Sequence, residues 1–282
     1  MRHGPAVRRR KLGEELRKLR DRAGLTSPEA ARLVGWHQSK VSRIETGHSG
    51  AKPEDVALLL SAYDVKEPQL RLLLEALAET SGESGTQWWH AYRGLLPPQY
   101  RDFISLESQA CAARTLETSV VPGLLQTPDY ARTVTRATLS GLPVRKVDSL
   151  VEVRLARQEV LRAASPLALS AVLDEAVLRR TVGGERVMKE QVRHLLEVAE
   201  LPHVQLQVLP FEAGAHMGLT GAFVIFSFPN IADLDVVVID HLASSLYLER
   251  KEDLGQYSAA FQRIQAQALQ PGDSLNLIAG IR

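Results

Sequence analysis

The chain has one cysteine, Cys111, in 282 residues. A disulfide framework within the chain is therefore excluded, and a reducing compartment fits. Cys111 sits among Ala110, Ala112 and Ala113 and reads as a packed core thiol. No run of about 18 apolar residues occurs, so the sequence offers no membrane-spanning helix. The charged N-terminus has no apolar stretch behind it and does not read as a signal peptide. A glycine-rich phosphate loop, paired cysteines and a His-Glu-x-x-His pattern are all missing, and with them common signatures of nucleotide-dependent and zinc-dependent catalysis. Internal repeats and low-complexity tracts are missing too. These absences predict a cytoplasmic protein that is not an enzyme and carries no cofactor or metal.

Net charge is also scarce, at +1, but it is unevenly placed. Residues 1–50 hold 12 Lys and Arg against five Asp and Glu, a surplus of +7, so residues 51–282 carry −6. A basic head on an acidic body fits a head that meets phosphate; the plainer reading of such charge is a solvated surface. Residues 1–11 look like a flexible basic arm, with Arg8, Arg9, Arg10 and Lys11 able to reach across a groove or merely to solubilise the head.

Leu12, Leu16 and Leu19 form one apolar helical face, which Gly24 terminates. Further helical patterns follow at about 27–34, 38–46, 53–62 and 67–80, with Gly35 and Gly47 in the turns. The stretch from Leu25 to Gly47 is the most informative. Thr26 or Ser27 can cap a helix whose first turn holds Pro28. Ala30 and Ala31 are small enough for a second helix to cross closely. Val41 and Ile44 point inward, while Gln38, Ser39, Lys40, Ser42 and Arg43 lie on the other face. Amides, hydroxyls and long cations on one exposed face can read base edges, and the free N–H groups at the first helix's start can hold a phosphate. Trp36 reads as packing on the bundle. Glu45, acidic inside this basic helix, is expected to bridge to Arg17 or Arg20.

Over residues 12–75 this pattern resembles the phage-repressor class of helix-turn-helix, the Xre family. The resemblance rests on the helix-one leucines, Leu25–Thr26, Ala31, Gly35 and the string Ser39 to Gly47. It implies base reading by Gln38, Ser39 and Arg43, and phosphate contacts near Lys40 and Ser42. Thr26, Ser27, Arg8, Arg9 and Arg10 complete the expected phosphate set. The family usually has glutamine where this chain has Ser27.

After the small polar residues 81–86, the texture changes. Helical patterns at about 98–115, 127–139, 145–163 and 186–200 alternate with strand candidates at 168–173, 204–209, 222–228 and 235–239, and a further one at 245–249. Strict alternation at 204–209 predicts one wet face; the apolar run at 235–239 predicts burial on both. A helix near 251–269 and a short final helix close the chain. His216, His241, Asp240 and Asp233 are scattered and read as structural rather than metal-binding, and nothing marks Ser244 or Ser245 as a nucleophile. Asp174–Glu175 reads as a helix cap. Pro122–Gly123 reads as a turn exposing Leu124 and Leu125, with Thr127 capping the next helix. Arg154, Arg157 and Gln158 share a face that is either an anion-binding surface or a salt-bridged seam. Gly214, Gly218 and Gly221 mark a mobile loop, plausible as a lid or contact site.

The segments VVPGLLQTPDYART (120–133), VRLARQEVL (153–161), LDEAVLRRTVGG (173–184) and VQLQVLPFEAGAHMG (204–218) resemble the C-terminal domain of many actinobacterial helix-turn-helix regulators, a domain of unknown function. The resemblance covers about residues 95–275. It implies a transcription regulator of development or secondary metabolism, often paired with a small acidic protein in an antitoxin-like arrangement.

The expected fold is an all-α, five-helix reader at residues 1–80, a linker at 81–94 and an α+β regulatory domain at 95–282 with a small, largely antiparallel sheet. One reader buries too little surface for tight specificity. The expectation is therefore a homodimer on a palindromic double-stranded DNA operator, half-sites about 34 Å apart, sensing a small-molecule effector or a small acidic protein. An antitoxin-like interaction module and a DNA-tethered enzyme are the alternatives.

Overall fold

The computed structural model describes residues 4–79, 88–92, 94–139, 141–228, 235–241 and 244–281. The chain forms two compact units that divide between Ala91 and Tyr92. Residues 81–87 and 93 of the expected linker lie outside the described residues. Trp88–Tyr92 make a 3-10 turn in which Trp89 is buried edge to face with Trp88.

The first unit holds α1 (Gly4–Arg22), α2 (Ser27–Leu33), α3 (Gln38–Glu45), α4 (Pro53–Ala62) and α5 (Pro68–Glu79). The helix α1 reaches back to Gly4, so residues 4–11 continue it instead of forming a flexible arm. Pro5 suits a first turn, and the following arginines and lysine are good helix formers. Leu12, Leu16 and Leu19 are buried with Val41 and Ile44 of α3 and with Val56, Leu59 and Leu60 of α4. Each such side chain contributes about 1.5–3 kcal/mol by leaving water.

Gly13 sets how closely α1 approaches α3. A methyl group there would lie 2.7 Å from the carbonyl carbon of Glu45. That obstacle is backbone, so the two helices must separate. Gly13→Ala is therefore expected to cost about 1–3 kcal/mol from overpacking, against about 1 kcal/mol gained in helix propensity. A melting temperature for the first unit at or above that of the parent would refute this account of the crossing.

The second unit holds α6 (Pro98–Glu107), β1 (Ala112–Glu117), α7 (Pro128–Thr138), α8 (Val144–Arg157), β2 (Ala168–Asp174), α9 (Glu175–Arg179), α10 (Glu185–Val198), β3 (Val204–Leu209), β4 (Phe223–Ser227), β5 (Val236–His241), β6 (Ser244–Leu248), α11 (Lys251–Gln267) and α12 (Pro271–Ala279). Its six strands run in the order β3-β2-β1-β4-β5-β6. The pairs β1–β2 and β2–β3 are parallel; the other three are antiparallel. The sheet is thus mixed, not largely antiparallel. The strand missed in the sequence explains the difference. Residues 98–115 look continuously helical, yet α6 stops at Glu107 and β1 starts at Ala112. With β1 in place, α7–α8 and α9–α10 become crossovers between parallel strands.

The same shift overturns the reading of Cys111. It is exposed, just before β1, with its thiol 3.4 Å from the Ser227 carbonyl oxygen. The wet face expected of β3 is also lost: only Gln205 is exposed. Gln207 is buried because α11 covers it, donating to the Leu269 carbonyl and accepting from Gln265. The burial of Val236, Val237 and Val238 matches the apolar run.

One sheet face packs on α11 through Leu116, Val172, Ile225, Val237, Phe261 and Ile264. The other carries Ala113, Thr115, Glu117, Val224, Phe226 and Val238, roofed by Phe103 of α6 and by Leu124. Leu124 and Leu125 are buried, contrary to expectation, because the 3-10 turn at Gly123–Leu125 folds inward. Thr127 stands at the N-cap of α7 but makes no side-chain cap bond; its N–H donates to Gln191 instead.

Candidate nucleic-acid interface

Two short helices and the turn between them build the interface. Thr26 caps α2 in a reciprocal capping box: its hydroxyl accepts from the Glu29 N–H, and Glu29 accepts from the Thr26 N–H at 2.7 Å. The Thr26 hydroxyl also donates to Glu29, which lowers that carboxyl's pKa. The Ser27 hydroxyl oxygen is buried without a partner among the described residues. Phosphate contacts from these two hydroxyls are thus opposed by the geometry, since one is occupied beside a carboxylate and the other is covered. Gly35 turns the chain with φ at +69°, a left-handed conformation costly for other residues.

His37 caps α3, a role the sequence did not reveal. Its Nδ1 accepts from the Ser39 N–H at 3.3 Å and lies 2.9 Å from the Ser39 hydroxyl. From this start the period of α3 buries Val41, Ile44 and Glu45 and leaves Gln38, Ser39 and Arg43 exposed, with Ser42 half-buried beside them. The side chains of Gln38 and Arg43 meet no partner among the described residues. Lys40 is held: it pairs with Asp55 of α4 at 2.8 Å, and its ammonium lies 3.6 Å from the centre of the Trp36 ring. Trp36 thus packs on its own bundle. Its partner Asp55 carried no sequence signal, since 15 residues separate it from Lys40. Arg9 is half-buried on α1, and the side chains of Arg8 and Arg10 lie outside the described residues.

The exposed face of α3 is braced from behind. Arg20 donates to both carboxylate oxygens of Glu45 at 2.7 and 3.0 Å, and Tyr63 donates to the same group. The bond to Glu45 raises the Arg20 pKa. The expected bridge therefore forms with Arg20, while Arg17 faces Asp21.

Residues 11–74 match the family model described as a helix-turn-helix domain. Residues 100–280 match the domain of unknown function DUF5753. The chain belongs to the DUF5753 family. No curated relative and no solved structure matches it. A helix-turn-helix is a DNA-binding element, so the chain carries the DNA-contacting part of a regulator. No helix among the described residues is long and apolar enough to cross a membrane.

Within the DUF5753 domain the arginine face proves to be a salt-bridged seam. Arg157 donates to both oxygens of Glu107 at 2.7 and 2.8 Å and to the Tyr100 hydroxyl. Burial works against its charge, yet Glu107 and Tyr100 raise its pKa overall. Arg154 donates to Gln126, and Gln158 to the Gly123 and Gln126 carbonyls. These bonds tie the 120–133 motif to the 153–161 motif.

Asp174 caps α9 by accepting from the Ala176 N–H. His216 lies 3.6 Å from Asp174, while His241 is exposed at the end of β5. Asp233 falls outside the described residues. No group of three metal-binding side chains occurs among those described. The glycine-rich loop at 211–219 leaves Phe211, Met217 and Leu219 exposed.

Proposed function

We propose that this protein is a sequence-specific transcription regulator of the Xre type, cytoplasmic and without catalytic activity. The observation that carries the reading is the split face of α3. Val41, Ile44 and Glu45 are locked into the bundle, and Gln38, Ser39 and Arg43 face outward on a rigid helix. Such a helix places base-reading groups in a major groove. Lys40, Ser42, Arg8, Arg9 and Arg10 supply phosphate contacts. The chain acts as a homodimer on a palindromic operator, because one such unit covers only a half-site. The DUF5753 domain holds the dimer and senses an effector.

The test is selection of bound sequences from a random DNA pool with the full-length protein, followed by affinity against salt on the selected site. The expected result is a palindrome with two half-sites about one helical turn apart. Enrichment of no sequence, or of an unpaired half-site bound by a monomer, refutes the reading.

A second reading has one observation in its favour. Phe211 and Met217 of the 204–218 motif and Leu219 just after it are all exposed, and exposed large apolar side chains mark contact sites when they form a patch. In that reading the domain docks a small acidic protein in an antitoxin-like pair, and DNA binding serves autoregulation. Co-purification with such a protein, lost in Leu219→Ser, supports it.

A further inference from the structure

The DUF5753 domain has a half-open cavity of about 130 Å³ between the sheet and α6. An engineered apolar cavity of similar size, about 150 Å³, admits benzene. Aromatic and aliphatic groups form most of the wall: Phe103 and Phe226, edge to face at 5.3 Å, with Val224 and Val238. Three carboxylates also line it, and their circumstances differ. Glu107 is neutralised bidentately by Arg157. Glu117 meets only the Thr115 hydroxyl, at 3.2 Å, and Asp240 only the Ser245 hydroxyl, at 2.6 Å; neither has an ion-pair partner among the described residues. The guanidinium of Arg157 is committed to Glu107 and Tyr100, so the cavity offers an anion little.

We propose that this cavity binds a small organic ammonium ion, its charge between Glu117 and Asp240 and its hydrocarbon part against Phe103 and Phe226. A carboxylate shielded from water, as Glu117 is, suits the ammonium, and the aromatic rings suit the hydrocarbon part, although the Arg157 guanidinium already covers one face of Phe103, 4.9 Å from its centre. The alkyl or aryl part is limited to roughly six carbon atoms by the benzene comparison. The inference deepens the sensor reading above: it names the site and the ligand class.

The site also makes binding depend on pH. Burial pushes the Glu117 carboxyl up to about 8, against the Thr115 hydrogen bond, with Asp240 adding to the rise and Arg154 opposing it. Tyr130 of α7 interacts with Glu117 as well. Near pH 7 Glu117 therefore holds a proton, which an arriving cation must displace. Affinity for the cation rises with pH until that proton is gone, by at most about tenfold per unit.

Calorimetric titration of the full-length protein, without DNA, tests the site. The probes are benzylamine and n-butylamine, with benzyl alcohol and n-butanol as uncharged matches. We expect one amine bound per chain, at least tenfold tighter than its alcohol, with affinity rising between pH 6 and 8. Glu117→Gln, close in shape to the protonated acid, should weaken the amine at least tenfold at pH 8 and flatten the pH profile. Asp240→Asn, at the exposed mouth, should weaken it less and serves if Glu117→Gln misfolds. No binding by either amine at 10 mM, equal binding of alcohol and amine, or full affinity in both variants overturns the proposal. Because no DNA is present, such a failure leaves the DNA-reading result standing, and a failed DNA selection leaves the cavity result standing.

Discussion

Glu45→Ala should strongly destabilise the DNA-binding unit while leaving the DUF5753 domain's stability unchanged. Arg20 and Glu45 are 7% and 6% exposed, and Arg20 is the cation that balances the buried Glu45 carboxylate. Removing Glu45 leaves the buried Arg20 guanidinium with only the exposed Asp21 and the Leu25 carbonyl, and takes a partner from Tyr63, whose ionisation is already opposed by burial and by Glu45. Breaking a buried pair on one side costs about 3–5 kcal/mol. Small domains have roughly 5–15 kcal/mol in total. The first unit's melting transition should fall by more than about 12 °C, and DNA binding should go with it. The double variant Arg20→Met with Glu45→Leu should recover most of that loss, since apolar replacement of both partners avoids the stranded charge. A single Glu45→Ala variant melting within about 3 °C of the parent would show that the pair is not a structural requirement.

Arg43→Ala should leave the fold intact and weaken the selected DNA site by about 1–3 kcal/mol, roughly 5-fold to 150-fold. Arg43 is exposed, and its side chain makes no hydrogen bond or ion pair among the described residues. The loss should be confined to one base position, seen as relaxed preference there when selection is repeated. Lys40→Ala should behave differently. Lys40 is already paired with Asp55, so its loss should weaken all sequences alike and lower the salt slope by at most about one. Unchanged base preference in Arg43→Ala would mean that α3 does not present this face to the groove.

The sequence was most legible where structure is local. The capping residue Thr26, the turn at Gly35 and the inward period of Val41 and Ile44 are all set within a few residues of chain. The Glu45 bridge was also readable, because an acid on the buried side of α3 has to find a cation on the helix that crosses it. The basic arm was misread because its low hydrophobicity hid a helix that runs on from Leu12 without a breaker. The strand β1 was misread because Ala-Cys-Ala-Ala has helical composition; pairing on both sides, with β2 and β4, outweighs that propensity.

By itself, then, the sequence determined the helix-turn-helix, the exposed polar face of its second helix and the placing of an α+β domain after it. Those follow from helix period, caps and turns, which act over one or two turns of chain. Only the tertiary structure decided the mixed sheet, the hold of Asp55 and Trp36 on Lys40, and the cavity with its two unpaired carboxylates. Each of these joins residues distant in sequence, as Glu117 and Asp240 are. Their partners are chosen by packing and by loss of water, which no local pattern records.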